Sequence, residues 1–416
     1  MPPALRNPDL RLFTVGQGLS VFGSEFTTVA MAWQVYQLTD SPLAVGLLGL
    51  ARAIPQMTLL LFGGLLADAL DRRRLLMAVQ AGQAAVIAPL ALLSLLEAIS
   101  PHVLFLASGL LGALIALETP GRQALIANIV ERAELGSAVA LQNAIRKVGS
   151  VAGPATAGII LTVSSPAWCY GTNALCFVAM LGLLGLLRVR VQGPIGGGVV
   201  SLPALRDAGR FVVTHPVILL VMVLDFGATF FGLPNALFPV YARDILHAGA
   251  AGLGVLYAAS SLGAIVGGVS MSIIGTSLRP GLGILVGVAI YGAGNILFAL
   301  SAVLWLSALL LAVAGFGNAV SAVLRWTLVQ LVTPDVLRGR VSAVSSIFSS
   351  GGPRLGEFRA GAVAQVWGAG VSVVSGGLIT HLLVVGVAAL PAIRTFHLQA
   401  SSRQTSATPH PQLQRG

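Results

Sequence analysis

The sequence predicts an all-α membrane protein with twelve transmembrane helices in two six-helix pseudo-repeat halves. Three observations carry this. Apolar runs of about 20 residues recur along the whole chain, enough to cross a hydrocarbon core of ~30 Å at ~1.5 Å per residue. Only 9% of the 416 residues are charged and 56% are hydrophobic, with a mean hydropathy of +0.89; a soluble domain carries roughly 25% charged residues. The second half of the chain also repeats features of the first at a fixed offset. An outer-membrane barrel would show ~10-residue alternating segments instead.

In order, the spans fall at 12–38, 43–67, 75–97, 102–120, 137–163, 167–187, 217–241, 251–275, 281–300, 303–331, 341–368 and 371–391. The opening "MPPALRNPDLRLF" runs into a full-length apolar segment with no clear cleavage site, so the first span is expected to serve as its own insertion signal. Turn residues separate later spans: "TDSP" at 39–42, "ISP" at 99–101, "SSP" at 164–166, "LRP" at 278–280 and "TPD" at 333–335. The longest connection, 188–216, is Gly/Pro-rich and then offers an amphipathic stretch from Leu202 to Val213. The expected division is a first half at 1–190, a cytoplasmic linker at 191–216, a second half at 217–391 and a polar, disordered tail at 392–416.

The net charge of +10 invites a nucleic-acid reading, but its distribution argues against one. Of 24 basic residues, 17 fall in the termini and the loops of one side, one (Arg243) on the other side and six within spans. This asymmetry places both termini in the cytoplasm by the positive-inside rule. Cys169 and Cys176 lie on one apolar span and read as packing residues. There is no His/Cys metal spacing and no G-x4-G-K-[ST] pattern, so neither a metal nor a nucleotide cofactor is expected. No Ser/His or paired-Asp constellation suggests an enzyme.

The repeat appears on shifting the chain by 203 residues. Arg122, Leu125, Gly136 and Ala140 recur as Arg325, Leu328, Gly339 and Ala343. Gly149, Gly153, Ala157 and Gly158 of "GSVAGPATAG" recur as Gly352, Gly356, Ala360 and Gly361 of "GPRLGEFRAG". Parallel repeats of this kind place a cavity between the halves near the bilayer midplane.

Twelve spans in a 6 + 6 repeat suggest a secondary transporter, and "GGLLADALDRRR" in the loop after the second span sharpens that. Gly64, Asp68 and Arg72, followed by Arg73 and Arg74, resemble the G-x3-D-R-x-G-R-R signature of the major facilitator superfamily, with Ala69 and Asp71 as departures. The resemblance implies a cytoplasmic gate in which Asp68 faces the N-terminus of the eleventh helix. Arg72 and Glu118 would join that network, and Arg122 and Arg325 would gate or snorkel at helix ends. Gly149, Gly153, Pro154 and Gly158 resemble the helix-5 signature of drug:proton antiporters, with Ala157 for one glycine. The physics of such a stretch is close helix approach plus a proline bend. "GFGNAVSAVLRWTLVQLVTPDVLRGRVSAVSSIF" and "LHAGAAGLGVLYAASSLGAIVGG" are similar to the bacterial branch that includes siderophore and drug exporters.

A charge at the bilayer centre costs at least ~2.5–3.5 kcal/mol on insertion scales, so buried charges mark a cavity or pair with one another. Glu25, Asp225 and Glu357 are the candidates for proton coupling, since an apolar cavity favours a protonated carboxyl and a nearby arginine reverses that. Arg52, Arg354 and Arg359 are candidates for holding an anionic substrate or serving as counter-ions. Arg354 and Glu357 share a helix face; Glu357 and Arg359 do not, and which of them faces the cavity stays open. Met31, Trp33, Gln34, Tyr36, Phe226, Phe230, Phe231 and Asn235 are candidates for the cavity wall.

The expected function is proton-gradient-driven export of a small amphipathic molecule, a drug or siderophore, by a monomer in a bacterial inner membrane, with the protons, the substrate and the bilayer as partners and no nucleic acid. An importer or lipid translocator of the same fold, or a receptor that keeps the fold without transport, are the alternatives.

Overall fold

The structure, a computed structural model, describes residues 7–69, 71–131, 134–188, 209–232, 234–275 and 280–390; at 60–69, 124, 335, 336, 343, 346, 347 and 350 it describes the backbone alone. Among these residues there are twelve long helices and no strand. They are α1 (Pro8–Thr39), α2 (Pro42–Ala69), α3 (Arg72–Leu95), α4 (Pro101–Ile129), α5 (Leu135–Val163) and α6 (Pro166–Leu186). The second six are α7 (Pro216–Gly232), α8 (Gly249–Ile274), α9 (Pro280–Leu300), α10 (Leu304–Val332), α11 (Asp335–Trp367) and α12 (Ala369–Ala388). Most of the linker and all of the tail at 392–416 lie outside the described residues, as do the side chains of Gly64 and Asp68.

The turn signals work through helix starts. Pro8, Pro42, Pro101, Pro166, Pro216 and Pro280 each open a helix, where the missing N–H has no intrahelical partner to lose. The Asn7 side chain accepts hydrogen bonds from the N–H groups of Asp9 and Leu10 at 2.9 and 3.3 Å. Asp71, which stands where the superfamily signature has glycine, caps α3 by accepting from Arg73 and Arg74 at 2.9 and 3.0 Å.

Two helices depart from expectation. The fourth span was expected to end at 120, at "ETPG"; α4 instead continues through Pro120 to Ile129. Packed membrane helices tolerate such prolines because neighbours re-satisfy the backbone, and the extra turns dock Leu125, Ile126 and Ile129 against Leu10 and Phe13. The seventh span is broken at Pro234 and resumes as short turns from Asn235 to Ile245. Asn295 donates to the Gly232 carbonyl at 2.8 Å and the Tyr257 hydroxyl to that of Asn235 at 3.2 Å, so the break leaves neither carbonyl unpaired.

Packing reproduces the sequence repeat. In the first half α1 packs on α5 and α6, α4 on α2 and α3, and α3 on α6; in the second half α7, α8, α9, α10, α11 and α12 repeat the same pairings. Between the halves α2 packs on α11 and α5 on α8, the two contacts that a pseudo-two-fold axis interchanges.

The apolar cores show the shape. Consecutive helices alternate in direction, so each half has one end near the chain termini, the terminal face, and one end opposite, the far face. One core draws on all twelve spans at the far face: it includes Phe26 and Trp33 of α1, Ala157 of α5, Leu237 and Phe238 beyond the α7 break, Leu253 of α8 and Ala364 of α11. Toward the terminal face there are separate cores, one in the second half around Met222, Leu285 and Leu328 and one in the first half around Phe13, Leu76 and Leu184. The halves are joined at the far face and stand apart at the terminal face.

Candidate functional site: a charged cavity between the halves

Nine of the spans are long and apolar enough to cross a membrane by length and composition; α1, α5 and α11 are not. Those three helices meet at a cavity of about 580 Å³ between the halves. Its walls lie on the central turns of the helices and reach toward the terminal face: Gln17 to Thr28 of α1, Ile115 to Arg122 of α4, Arg146 to Pro154 of α5 and Ser349 to Glu357 of α11, with Arg52 of α2 and Tyr257 of α8.

α1 supplies a polar stripe. Gln17, Ser20, Ser24, Glu25 and Thr28 all line the cavity at the spacing of one helix face. The Ser24 and Thr28 hydroxyls donate back to their own helix, to the carbonyls of Ser20 at 2.7 Å and Ser24 at 3.0 Å, while the Ser20 hydroxyl donates to Gln80 of α3 at 3.5 Å, leaving their lone pairs to the cavity. α5 closes against this stripe through its glycines: a Cβ on Gly153 would meet that of Glu25 at 2.6 Å. The small-residue motif therefore brings Glu25 to the wall beside Pro154.

The charges divide into satisfied and unsatisfied ones. Arg354 and Glu357 form an ion pair on α11, with Nη1 3.3 Å from both carboxylate oxygens. Glu118 lines the cavity and accepts from Gln17 at 3.4 Å and Gln83 at 3.1 Å. Arg52 and Glu25 line the same cavity with no ion pair among the described residues, and Nε of Arg52 is buried without a hydrogen-bond partner.

The other candidates lie elsewhere. Arg359 faces away, donating to the Phe231 carbonyl at 2.7 Å and lying 5.7 Å from that ring, so it is Glu357 that faces the cavity. Asp225 sits in a separate cleft of about 340 Å³ between α7, α10 and α11, where Arg325 pairs with it at 2.5 Å and Ser349 donates at 3.0 Å. Arg72 bonds Asn128 at 3.0 Å, and Arg73 donates to the carbonyls of Leu184 and Gly185 at the end of α6, at 2.8 and 2.6 Å; Arg74 donates its backbone N–H to Asp71. Of the expected wall residues, Asn235 lines the cavity and Met31 a small adjoining pocket. Trp33 and Tyr36 are buried in the far-face core, Gln34 donates to Ser94 at 2.8 Å, and Phe226 stacks on Phe230, which meets Phe231 edge to face. Tyr257, Gln56, Ser261 and the α1 stripe are among the wall residues not expected from the sequence. The stripe was visible as polar residues at three- and four-residue steps in an otherwise apolar span.

The far face is shut by contacts across the halves. Gly158 of α5 and Gly254 of α8 cross so closely that a Cβ on Gly254 would lie 2.7 Å from the Pro154 carbonyl oxygen. Outside this crossing, Arg243 pairs with Asp40 at 2.5 Å and with Asp244 at 3.1 Å, and lies 5.0 Å from the Tyr36 ring. The Tyr36 hydroxyl donates to Asp244. Ser41 donates to Gln365 at 2.7 Å.

Known proteins resemble this chain in sequence and in fold. Residues 3–415 match the family described as transmembrane secretion effector. The enterobactin exporter EntS of Citrobacter koseri is 29% identical over 91% of this chain and 92% of its own. Among solved structures, a bacterial homologue of the human lysosomal transporter Spinster, in an inward-facing and unoccupied conformation, superposes with a TM-score of 0.69 at 16% identity, covering 99% of this chain and 100% of that one. The nucleoside transporter NupG superposes with a TM-score of 0.72 at 12% identity over 92% of this chain and 98% of that one. With its repeat, its inter-half cavity and this match, the chain belongs to the transmembrane secretion effector family of the major facilitator superfamily and is a multi-pass membrane transporter.

Proposed function

We propose that this transporter exports a small, oxygen-rich anion of the siderophore type from the cytoplasm across a bacterial inner membrane, in exchange for protons. The observation that carries this is the pairing of an uncommitted arginine, Arg52, with an uncommitted carboxylate, Glu25, in one hydroxyl-lined cavity between the halves. Desolvating an isolated guanidinium is expensive, and an incoming carboxylate or catecholate offsets that cost with charge-assisted hydrogen bonds. The hydroxyls of Ser20, Ser24 and Thr28 suit an oxygen-rich solute better than an apolar drug. The similarity to enterobactin exporters supports the same substrate class.

In this reading the cavity opens to the cytoplasm, where the basic loops lie. Glu25 carries the proton. Protonated, it leaves Arg52 for the substrate; ionised, it competes with the substrate for Arg52. Rocking of the halves opens the Arg243 clasp and the Gly158–Gly254 crossing at the far face and brings the terminal-face ends together, where the Asp68 loop closes on α11. Asp225, paired with Arg325, ties α7 to α10, and Glu357 is held by Arg354 one turn earlier on α11. The protein works as a monomer, and the proton gradient is its energy source, with no bound cofactor.

The test is uptake of enterobactin by everted vesicles carrying the full chain. Gradient-dependent uptake that is lost in Glu25→Gln and in Arg52→Gln is the expected result. Uptake indifferent to a protonophore, or unchanged in both variants, sinks the reading.

A further inference from the structure

The two halves treat one position in opposite ways. Arg122 on α4 and Arg325 on α10 are repeat equivalents at the 203-residue offset. Around Arg325 the second half has placed a partner: Asp225 at 2.5 Å, with Ser321 accepting from Nη1 at 2.8 Å. The equivalents of Asp225, Ser321 and Ser349 in the first half are Phe22, Glu118 and Arg146. Phe22 cannot pair with Arg122. Glu118 is occupied by Gln17 and Gln83, each amide donating to a different carboxylate oxygen. Arg146 adds a second positive charge instead of removing the first.

The outcome is two cationic side chains on facing helices, both lining the terminal-face part of the central cavity. Nε of Arg122 is buried without a hydrogen-bond partner, and neither arginine has an ion pair among the described residues. Two like charges on one cavity wall repel, the single carboxylate of Glu118 offsets only one of them, and a bound anion relieves the excess. The buried donor is likewise unsatisfied until an acceptor arrives.

We propose that Arg122 and Arg146 form an anion-capture subsite, distinct from Arg52, that takes a carboxylate or phenolate of the solute at the open side of the cavity. The proposal rests on reading the cavity as the path of an anionic substrate. It adds that selection for negative charge is made in the first half, before the solute reaches Arg52 and Glu25.

The experiment is a ligand-dependent thermal shift of the purified full chain with two ring probes, anionic salicylate and neutral salicylamide. Wild type is expected to bind salicylate more tightly. Arg146→Gln, Arg122→Gln and the double variant should weaken salicylate about tenfold or more, the scale of one lost charge-assisted bond, and leave salicylamide unchanged. Arg122→Lys should retain binding. Lys147→Gln, next to Arg146 in sequence but not on the cavity wall, should behave as wild type. If wild type does not distinguish the probes, or the double variant binds salicylate normally, the subsite is overturned. Arg146 is exposed to the cavity, so its variant tests the idea even if Arg122→Gln does not fold. Vesicle uptake of enterobactin separates the two readings. Normal wild-type uptake with an unchanged KM in the double variant overturns the subsite alone. Absent wild-type uptake alongside arginine-dependent salicylate binding overturns the exporter reading alone.

Discussion

Helices α5 and α11 hold equivalent places in the repeat, and the two halves fill them differently. Both keep glycines where a neighbour crosses closely: Gly153 against α1, and Gly356 against the Thr229 and Phe230 carbonyls of α7. On that shared frame the first half leaves Glu25, Arg52, Arg122 and Arg146 on the cavity wall without an ion pair among the described residues, whereas the second half pairs Asp225 with Arg325 and Arg354 with Glu357. The backbone frame tolerates no bulk and so has been kept. The filling is constrained only by the need to satisfy buried charge, and the second half meets that need with internal partners.

The sharpest break in this comparison is expected at Glu25. Glu25→Gln should abolish gradient-driven uptake in everted vesicles while the thermal melt stays within about 0.5 kcal/mol of wild type, because no protein partner is lost. Asp225→Ala in the second half should do the opposite. It strands Arg325 in a site where the two side chains are only 9% and 14% exposed, and should destabilise by about 3–5 kcal/mol in detergent melts. A double variant, Asp225→Ala with Arg325→Met, should recover most of that loss; failure to recover would mean that the pair does more than satisfy itself.

A smaller effect tests the far face. Gly158→Leu forces a side chain onto the Gly254 backbone, 2.8 Å from its Cα, and should cost about 1–3 kcal/mol in the melt. The smallest effect belongs to the clasp. Arg243 and Asp40 are 37% and 69% exposed, so Arg243→Ala should change stability by no more than ~1 kcal/mol. The same amount applied to an open–closed equilibrium is about fivefold in population, readable as faster thiol labelling of Ser41→Cys. Labelling at the wild-type rate would remove the clasp from the gating account.

Much of this was legible in the chain itself. The turn prolines mark real helix starts, because a first-turn proline loses no hydrogen bond. The three-residue spacing of Arg354 and Glu357 dictates their pairing, since one helix turn brings them together. Other features were not legible. Pro120 reads as a stop, yet α4 passes through it because tertiary packing supports the extra turns. Trp33 and Tyr36 read as cavity wall but serve the far-face core, since aromatic character alone does not say which side of a helix faces the partner half. Arg359 reads as a cavity charge, but a carbonyl near the α7 break captures it.

Hydropathy, charge asymmetry and the 203-residue repeat by themselves determined the membrane class, the helix number and the two-half plan, because these follow from the cost of burying backbone and charge in lipid. Which charges stand open was decided only by the tertiary structure. Asp225 and Arg325 are distant in sequence, and Arg122 and Arg146 lie on different helices. Whether a charge is paired depends on which helix face meets which neighbour, and that is set by the crossing of helices at their glycines.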